Sequence, residues 1–154
     1  MFKTVLRGIA AGAVGTTALD AATYADMAMR GRPSSSIPAQ SVEKLSGQTG
    51  LEIPGEGKTR ENRVGGIGAL LGIGTGLSAG VAASFLGPVV RRVPLPVAGV
   101  LVGGMAMAGS DVPLVRMGLT DPSSWSTSDW LSDALPHLVY GVAAAWTLRA
   151  LAPR

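Results

Sequence analysis

Long uncharged stretches constrain the fold of this chain more than any other feature. Val64–Leu86 and Val93–Ser110 contain no Asp, Glu, Lys or Arg. A helix that crosses a bilayer needs about 20 mostly apolar residues, so the first stretch is long enough alone and the second if it continues to Asp111. Gly8–Met29 and Ala134–Leu148 are nearly as apolar. We therefore predict an all-α integral membrane protein with four transmembrane helices, over residues 5–29, 63–86, 93–115 and 128–149.

The composition supports a membrane class and excludes several others. Only 15% of the 154 residues are charged, whereas soluble domains average about 25%, and 22 residues are glycine. Helices in lipid pack through such small residues. The net charge of +3 comes from scattered Lys and Arg without interleaved aromatics, which argues against nucleic acid. The chain has no Cys, and no motif predicts a metal, a cofactor or an enzymatic activity.

Three sequence motifs occur twice in the same order. The first is Gly-x3-Gly-x7-Asp, followed by a Pro-Ser-Ser loop and then by Gly-Val-Ala-Ala. The copies begin at Gly8, Pro33 and Gly80 and again at Gly99, Pro122 and Gly141. This order predicts an internal duplication of a helical hairpin. It also predicts that the N-terminal stretch is a retained helix and not a cleaved signal peptide, because a signal would have no reason to recur.

The duplication predicts a topology in which both hairpins enter the membrane from the same end. Residues 1–7, the loop at Arg91 and the C-terminus then share one end, called end A, and both Pro-Ser-Ser loops share end B. Lys and Arg are denser near the helix ends at end A, so we expect N- and C-termini in the cytoplasm of a bacterial inner membrane. Residues 31–62 are predicted to form a polar loop at end B with a short helix over 37–45.

The most specific pattern is a row of glycines at every fourth position of the second helix. Each costs about 1 kcal/mol relative to alanine in a helix, and close helix packing offsets that cost in lipid. The row predicts a contact face either for a partner or for the chain's own first or third helix. The residues of this predicted packing interface are Gly68, Gly72, Gly76, Gly80, Gly8, Gly12, Gly99 and Gly103.

Acidic residues inside the apolar stretches form the second candidate site. Asp20 shares a helical face with Thr16 and Tyr24, and Asp111 is its counterpart in the repeat. Ionisable residues within a membrane usually face protein or water and are often functional. The alternative is that these acids lie at the end-B interface. Asp133 and His137, one helical turn apart, could relay a proton or form a local hydrogen bond.

The second half resembles the YagU-like family of bacterial inner-membrane proteins. The segments that carry the resemblance are "VPLVRMGLTDP" at 112–122, Trp125 and "SDALPHLVY" at 132–140. The matching residues are Pro113, Gly118, Leu119, Thr120, Pro122, Asp133 and His137. The resemblance implies a membrane location and a fold, and it implies no mechanism.

The sequence therefore predicts a small non-catalytic membrane protein that acts through helix packing. Its expected partners are the lipid bilayer and other membrane subunits or further copies of itself, either as an accessory subunit of a larger complex or as a homo-oligomer. The alternative is a small transporter or a proton or ion pathway that uses the intramembrane acids.

Overall fold

The computed structural model describes residues 1–152, and within them every regular element is helical. The elements, in chain order, are α1 (Phe2–Arg30), α2 (Ile37–Thr49), α3 (Gly57–Phe85), α4 (Gly87–Arg92), α5 (Leu95–Arg116), a 3₁₀ turn (Pro122–Ser124) and α6 (Thr127–Ala150). The prediction of an all-helical protein is confirmed. Two helices, α3 and α5, are long and apolar enough to cross a membrane by length and composition.

Several helix bounds differ from those predicted. Helix α3 begins at Gly57 instead of residue 63. The polarity of residues 57–62 suggested a loop, but Lys58, Arg60 and Glu61 are good helix formers, and Arg60 pairs with Glu43 of α2. Helix α2 continues past residue 45 to Thr49 and stops at Gly50, whose φ of 70° is left-handed. The short α4 was not predicted, since Gly87 and Pro88 read as a break after α3.

The start of α6 follows from local side-chain chemistry. The Asp129 backbone N–H donates to the Ser126 hydroxyl, and the Asp129 carboxylate accepts from the Ser126 backbone N–H at 2.9 Å. This reciprocal pair satisfies two backbone donors that a helix start otherwise leaves open. Ser126 is therefore the N-cap of α6.

The long helices pack in two principal pairs around a core of small residues. Helix α1 packs against α3, α5 packs against α6, and α1 also packs against α6, while α2 lies on α3. Most core positions are alanines, and the largest fully buried side chains are Tyr140, Val90 and Val102. Small core side chains let helix axes approach closely, which is how helices associate in lipid.

Arg149 attaches the short α4 to the end of α6. Its guanidinium donates two hydrogen bonds to the Val90 carbonyl oxygen, at 2.9 and 2.7 Å, and a third to the Val93 carbonyl oxygen. These carbonyls lie at the end of α4, where the helix leaves acceptors without partners. A planar fork of donors suits such a cluster of acceptors.

Candidate functional site

The first helix pair is joined by backbone contact at the predicted glycines. A methyl group at Gly12 would lie 2.8 Å from the Gly76 carbonyl oxygen, and one at Gly8 would lie 2.5 Å from the Val81 Cα. Gly80 in turn faces the backbone of Gly12. No side chain fits at these positions, so glycine is required there by the closeness of α1 and α3.

The second helix pair repeats these contacts at the corresponding positions of the sequence repeat. A methyl group at Gly103 would lie 2.5 Å from the His137 carbonyl oxygen, and one at Gly99 would lie 3.3 Å from the Val142 Cα. Gly141, the counterpart of Gly80, would place its methyl group 2.7 Å from the Gly103 Cα. The α5–α6 contact therefore uses the corresponding glycines of the repeat, in the same antiparallel order as the α1–α3 contact.

The other two glycines of the predicted row, Gly68 and Gly72, do not contact α1. A methyl group at Gly68 would lie 3.0 Å from the Pro38 carbonyl carbon, so this position packs against α2. Gly72 has no atom within 4 Å of such a methyl group. The row of four is thus not one continuous interface, because α1 contacts only the Gly76–Gly80 end of it.

Tyr140 joins the two hairpins through contacts that no motif in the sequence predicted. The side chain is 1% exposed, and its hydroxyl donates a 2.6 Å hydrogen bond to the Gly76 carbonyl oxygen of α3. Its ring contacts Gly15 of α1, where a methyl group would lie 2.7 Å from it. The one sequence signal for this contact was a tyrosine just before the Ala-rich part of α6. That Gly15 leaves room for its ring is visible only in the structure.

The structure brings four of the polar side chains together between α5 and α6. The Ser110 hydroxyl lies 3.1 Å from the Asp111 carboxylate and 3.4 Å from His137 Nε2. On the other side of the ring, His137 Nδ1 lies 2.9 Å from the backbone carbonyl oxygen of Asp133 and 3.4 Å from the Asp133 carboxylate. Because a carbonyl oxygen can only accept, the Nδ1 position carries the proton and Nε2 faces Ser110.

This polar cluster, Ser110, Asp111, Asp133 and His137, is partly shielded from solvent. The Asp133 and His137 side chains are 28% and 14% exposed, and Asp133 Oδ2 is buried without a hydrogen-bond partner among residues 1–152. The arrangement offers a chain of polar groups from one helix to the next. Among the described residues, no group of three or more His, Asp or Glu side chains is placed so that it could hold a metal ion.

The first-half acid lies apart from this cluster. Asp20 takes part in none of the hydrogen bonds or ion pairs formed within residues 1–152, and Tyr24 is 63% exposed. The Thr16 hydroxyl packs against Gly76, is buried and has no hydrogen-bond partner in the described residues. Thr16 therefore packs against α3 whereas Tyr24 is exposed, and the polar site at Asp20, Thr16 and Tyr24 stays a prediction.

At end B, ion pairs and hydrogen bonds tie α1 to the start of α6. The Asp26 carboxylate pairs with Arg30 at 2.6 Å and with Arg32 at 2.5 Å, and Arg30 also donates to the hydroxyls of Ser128 and Ser132. Asp129 serves as the helix cap described above and does not join the polar cluster. These contacts hold the two end-B loops next to each other.

The two Pro-Ser-Ser loops differ in structure. The second forms a 3₁₀ turn in which the Asp121 carboxylate accepts from the Ser123 hydroxyl at 2.7 Å and from its backbone N–H at 3.0 Å, which lowers the pKa of Asp121. The first loop has no such turn. It leads into α2, where a hydrogen-bonded ion pair with Arg60 lowers the pKa of Glu43.

Comparisons with protein-family models, with curated proteins and with solved structures find no match to this chain. The resemblance to the YagU-like family therefore stays a prediction from the sequence.

Proposed function

We propose that this chain is a four-span protein of the bacterial inner membrane that acts through helix packing and not through catalysis. It serves as an accessory subunit of a larger membrane complex or as a homo-oligomer. The single observation that carries the proposal is a long uncharged segment of α3, residues 65–75, whose positions are exposed apart from Gly68. Helices of soluble proteins rarely leave so much apolar surface uncovered.

Large exposed apolar side chains on three of the long helices support membrane insertion. Leu70 of α3 is 68% exposed, Val100 of α5 is 57% exposed and Trp146 of α6 is 60% exposed. More than half of the buried positions of α5 and α6 are instead alanine or glycine. Large apolar groups outside and small groups inside are what lipid-embedded helices need.

The matched glycine contacts support a duplicated hairpin. Gly80 in α3 and Gly141 in α6 each meet two glycines of the preceding long helix, at corresponding positions. A duplicated hairpin places both termini at end A. We infer from the density of Lys and Arg near the helix ends at end A that this end faces the cytoplasm.

The contact face for a partner lies on the side of α3 that points away from α1. Gly74, Ser78 and Ala82 are exposed and four residues apart, so they form one small-residue ridge on the helix surface. Outside the adjacent backbone of α3, no atom of the described residues lies within 4 Å of a methyl group placed at Gly74. A glycine that no internal contact requires is a cost of about 1 kcal/mol that a second helix would offset. This face replaces the Gly68–Gly80 row as the proposed contact with another protein.

Substitution of Gly74 by leucine tests the proposed contact. We expect Gly74→Leu to weaken association by about 1–3 kcal/mol, because the larger side chain holds the partner helix away, while leaving the monomer folded. The measurement is native mass spectrometry with protein identification after gentle extraction from the membrane. The matched control is Gly104→Leu, an equally open glycine on α5. A wild-type protein that is a lone monomer, or an assembly that survives Gly74→Leu, would contradict the proposal.

The polar cluster favours a second candidate function, a proton pathway between α5 and α6. Its Asp111, Ser110 and His137 atoms are spaced at 3.1–3.4 Å, and the Asp133 carboxylate adjoins the ring. Such a series of groups can pass a proton in small steps. No residue of the packing proposal is shared with it, so the two functions can be separated.

Asp111→Asn tests this second function. We expect proton flux into liposomes that contain the purified protein to fall by at least about tenfold, since the amide cannot carry the proton. The assembly state should not change. Asp121→Asn, which alters an exposed loop acid, is the control. Flux that equals that of protein-free liposomes for the wild type would exclude this function.

A further inference from the structure

A cavity of about 300 Å³ opens at end A, between the start of α1, the α3–α4 junction and the end of α6. Its polar lining comes from Thr4 and Arg7 of α1, Ser84 of α3 and Arg91 of α4, and its apolar lining includes Leu148. The volume lies at the lower end of the range for small-ligand sites. The cavity is therefore large enough for a small polar group. Its free donors come from α1 and α4, because the Ser84 hydroxyl already donates to the Val81 carbonyl oxygen at 2.6 Å.

Two arginines of this cavity lack a protein partner in the described residues. Arg7 and Arg91 form no ion pair and donate no hydrogen bond within residues 1–152, whereas the neighbouring Arg149 is engaged with backbone carbonyls. The three segments that include the cavity-lining residues, 1–19, 62–110 and 134–152, contain no Asp or Glu. Two guanidinium groups beside the Thr4 hydroxyl, with no Asp or Glu side chain lining the cavity in the described residues, are a typical site for a phosphate.

The surroundings favour a phosphate that belongs to a lipid. Phe85, which is 57% exposed, and Pro88 form the rim of the cavity, where the apolar part of α3 ends. In a membrane-spanning α3 this point lies at the level of the headgroups. Basic pockets between helices at the cytoplasmic surface attract anionic headgroups. Free phosphate would find the same guanidinium donors but would gain nothing from the apolar rim.

We propose that the end-A cavity binds the headgroup phosphate of an anionic phospholipid through Arg7 and Arg91. The inference depends on the proposed membrane location, because only a membrane-embedded chain presents this cavity to headgroups. The acidic headgroup would fix the position of α4 relative to α1 and α3. It would also anchor end A in a leaflet rich in anionic lipid.

Native mass spectrometry of the full chain in detergent tests the proposal with defined probes. Phosphatidylglycerol, phosphatidylcholine and inorganic phosphate are titrated separately. We expect one phosphatidylglycerol per chain to bind wild type with preference over phosphatidylcholine, and the double variant Arg7→Gln with Arg91→Gln to bind about 30-fold more weakly. The single variant Arg91→Gln, at an exposed position, should bind phosphatidylglycerol about fivefold more weakly. It keeps the test informative if the double variant does not fold.

Arg92→Gln is the matched control, since it removes the same charge one residue away and lies outside the cavity lining. Affinity within twofold of wild type for Arg92→Gln supports the proposal. An equal loss for Arg92→Gln and Arg91→Gln, equal binding of phosphatidylcholine, or displacement of the lipid by millimolar inorganic phosphate would overturn it. Carbonate extraction of wild-type membranes is measured in parallel. A resistant protein without lipid preference overturns this inference only, and an extracted protein overturns the membrane proposal with it.

Discussion

Gly80→Leu is expected to prevent the chain from folding into its helical bundle, and Gly141→Leu is expected to do the same. Each glycine faces the backbone of the neighbouring helix, so a leucine can be placed only if the two helices separate. Overpacking usually lowers the free energy of unfolding by about 1–3 kcal/mol where neighbouring side chains can adjust. Here we expect a loss of at least about 3 kcal/mol, because the neighbouring atoms belong to the backbone and cannot move aside. Thermal unfolding followed by circular dichroism in detergent measures the loss.

Leucine at an open glycine of the same helix is the control for that experiment. Gly72→Leu should keep the wild-type unfolding temperature or raise it slightly, because Gly72 has open space and leucine is the better helix former. Equal destabilisation by Gly72→Leu and Gly80→Leu would contradict the packing described here. Tolerance of leucine at Gly141 but not at Gly80 would contradict the equivalence of the two hairpins.

Tyr140→Ala is the second substitution with a large expected effect. The side chain is buried among α1, α3 and α6, and its loss would leave a cavity where the two hairpins meet. Truncation of a buried aromatic residue costs about 3–5 kcal/mol. Tyr140→Phe removes only the hydrogen bond to the Gly76 carbonyl oxygen and should cost about 1 kcal/mol. The free energy of unfolding in detergent and denaturant distinguishes the two.

Trp146 provides the comparison for the tyrosine experiment. It lies on the same helix but is 60% exposed, so Trp146→Ala should change the free energy of unfolding far less than Tyr140→Ala. A smaller effect at Tyr140 than at Trp146 would show that α6 presents its other side to the bundle. A Tyr140→Phe loss as large as that of Tyr140→Ala would assign the stabilisation to the hydroxyl and not to the ring.

The long helices could be predicted from the sequence because their signal is local. The absence of charge over the central part of α3 predicts a helix without any knowledge of its neighbours. Gly31 similarly marks the end of α1, where the structure has a left-handed φ of 62°. The polar start of α3 and the short α4 could not be placed in this way. A polar helix and a polar loop have similar compositions, and α4 depends on Arg149, far away in the chain.

The candidate sites were predictable only as patterns on single helices. Spacing by four placed Gly72 in line with Gly76, but it could not show that α1 contacts one end of the row and not the other. In the same way, His137 and Asp133 were recognised as one face of α6. That Asp111 of α5 lies beside them, and Asp20 of α1 does not, depends on how the helices cross.

The central claim is that both hairpins cross a membrane in the same direction, and single-cysteine labelling in cells tests it most directly. The chain has no native Cys, so each label reports one position. Ser35→Cys and Ser124→Cys probe the two end-B loops, and Phe2→Cys and Val89→Cys probe end A without altering a charge. A membrane-impermeant maleimide should label both serine positions on intact cells, and the end-A positions only after permeabilisation. Labelling of Ser35→Cys and Ser124→Cys from opposite sides, or of all four positions only in the soluble fraction, would contradict the account.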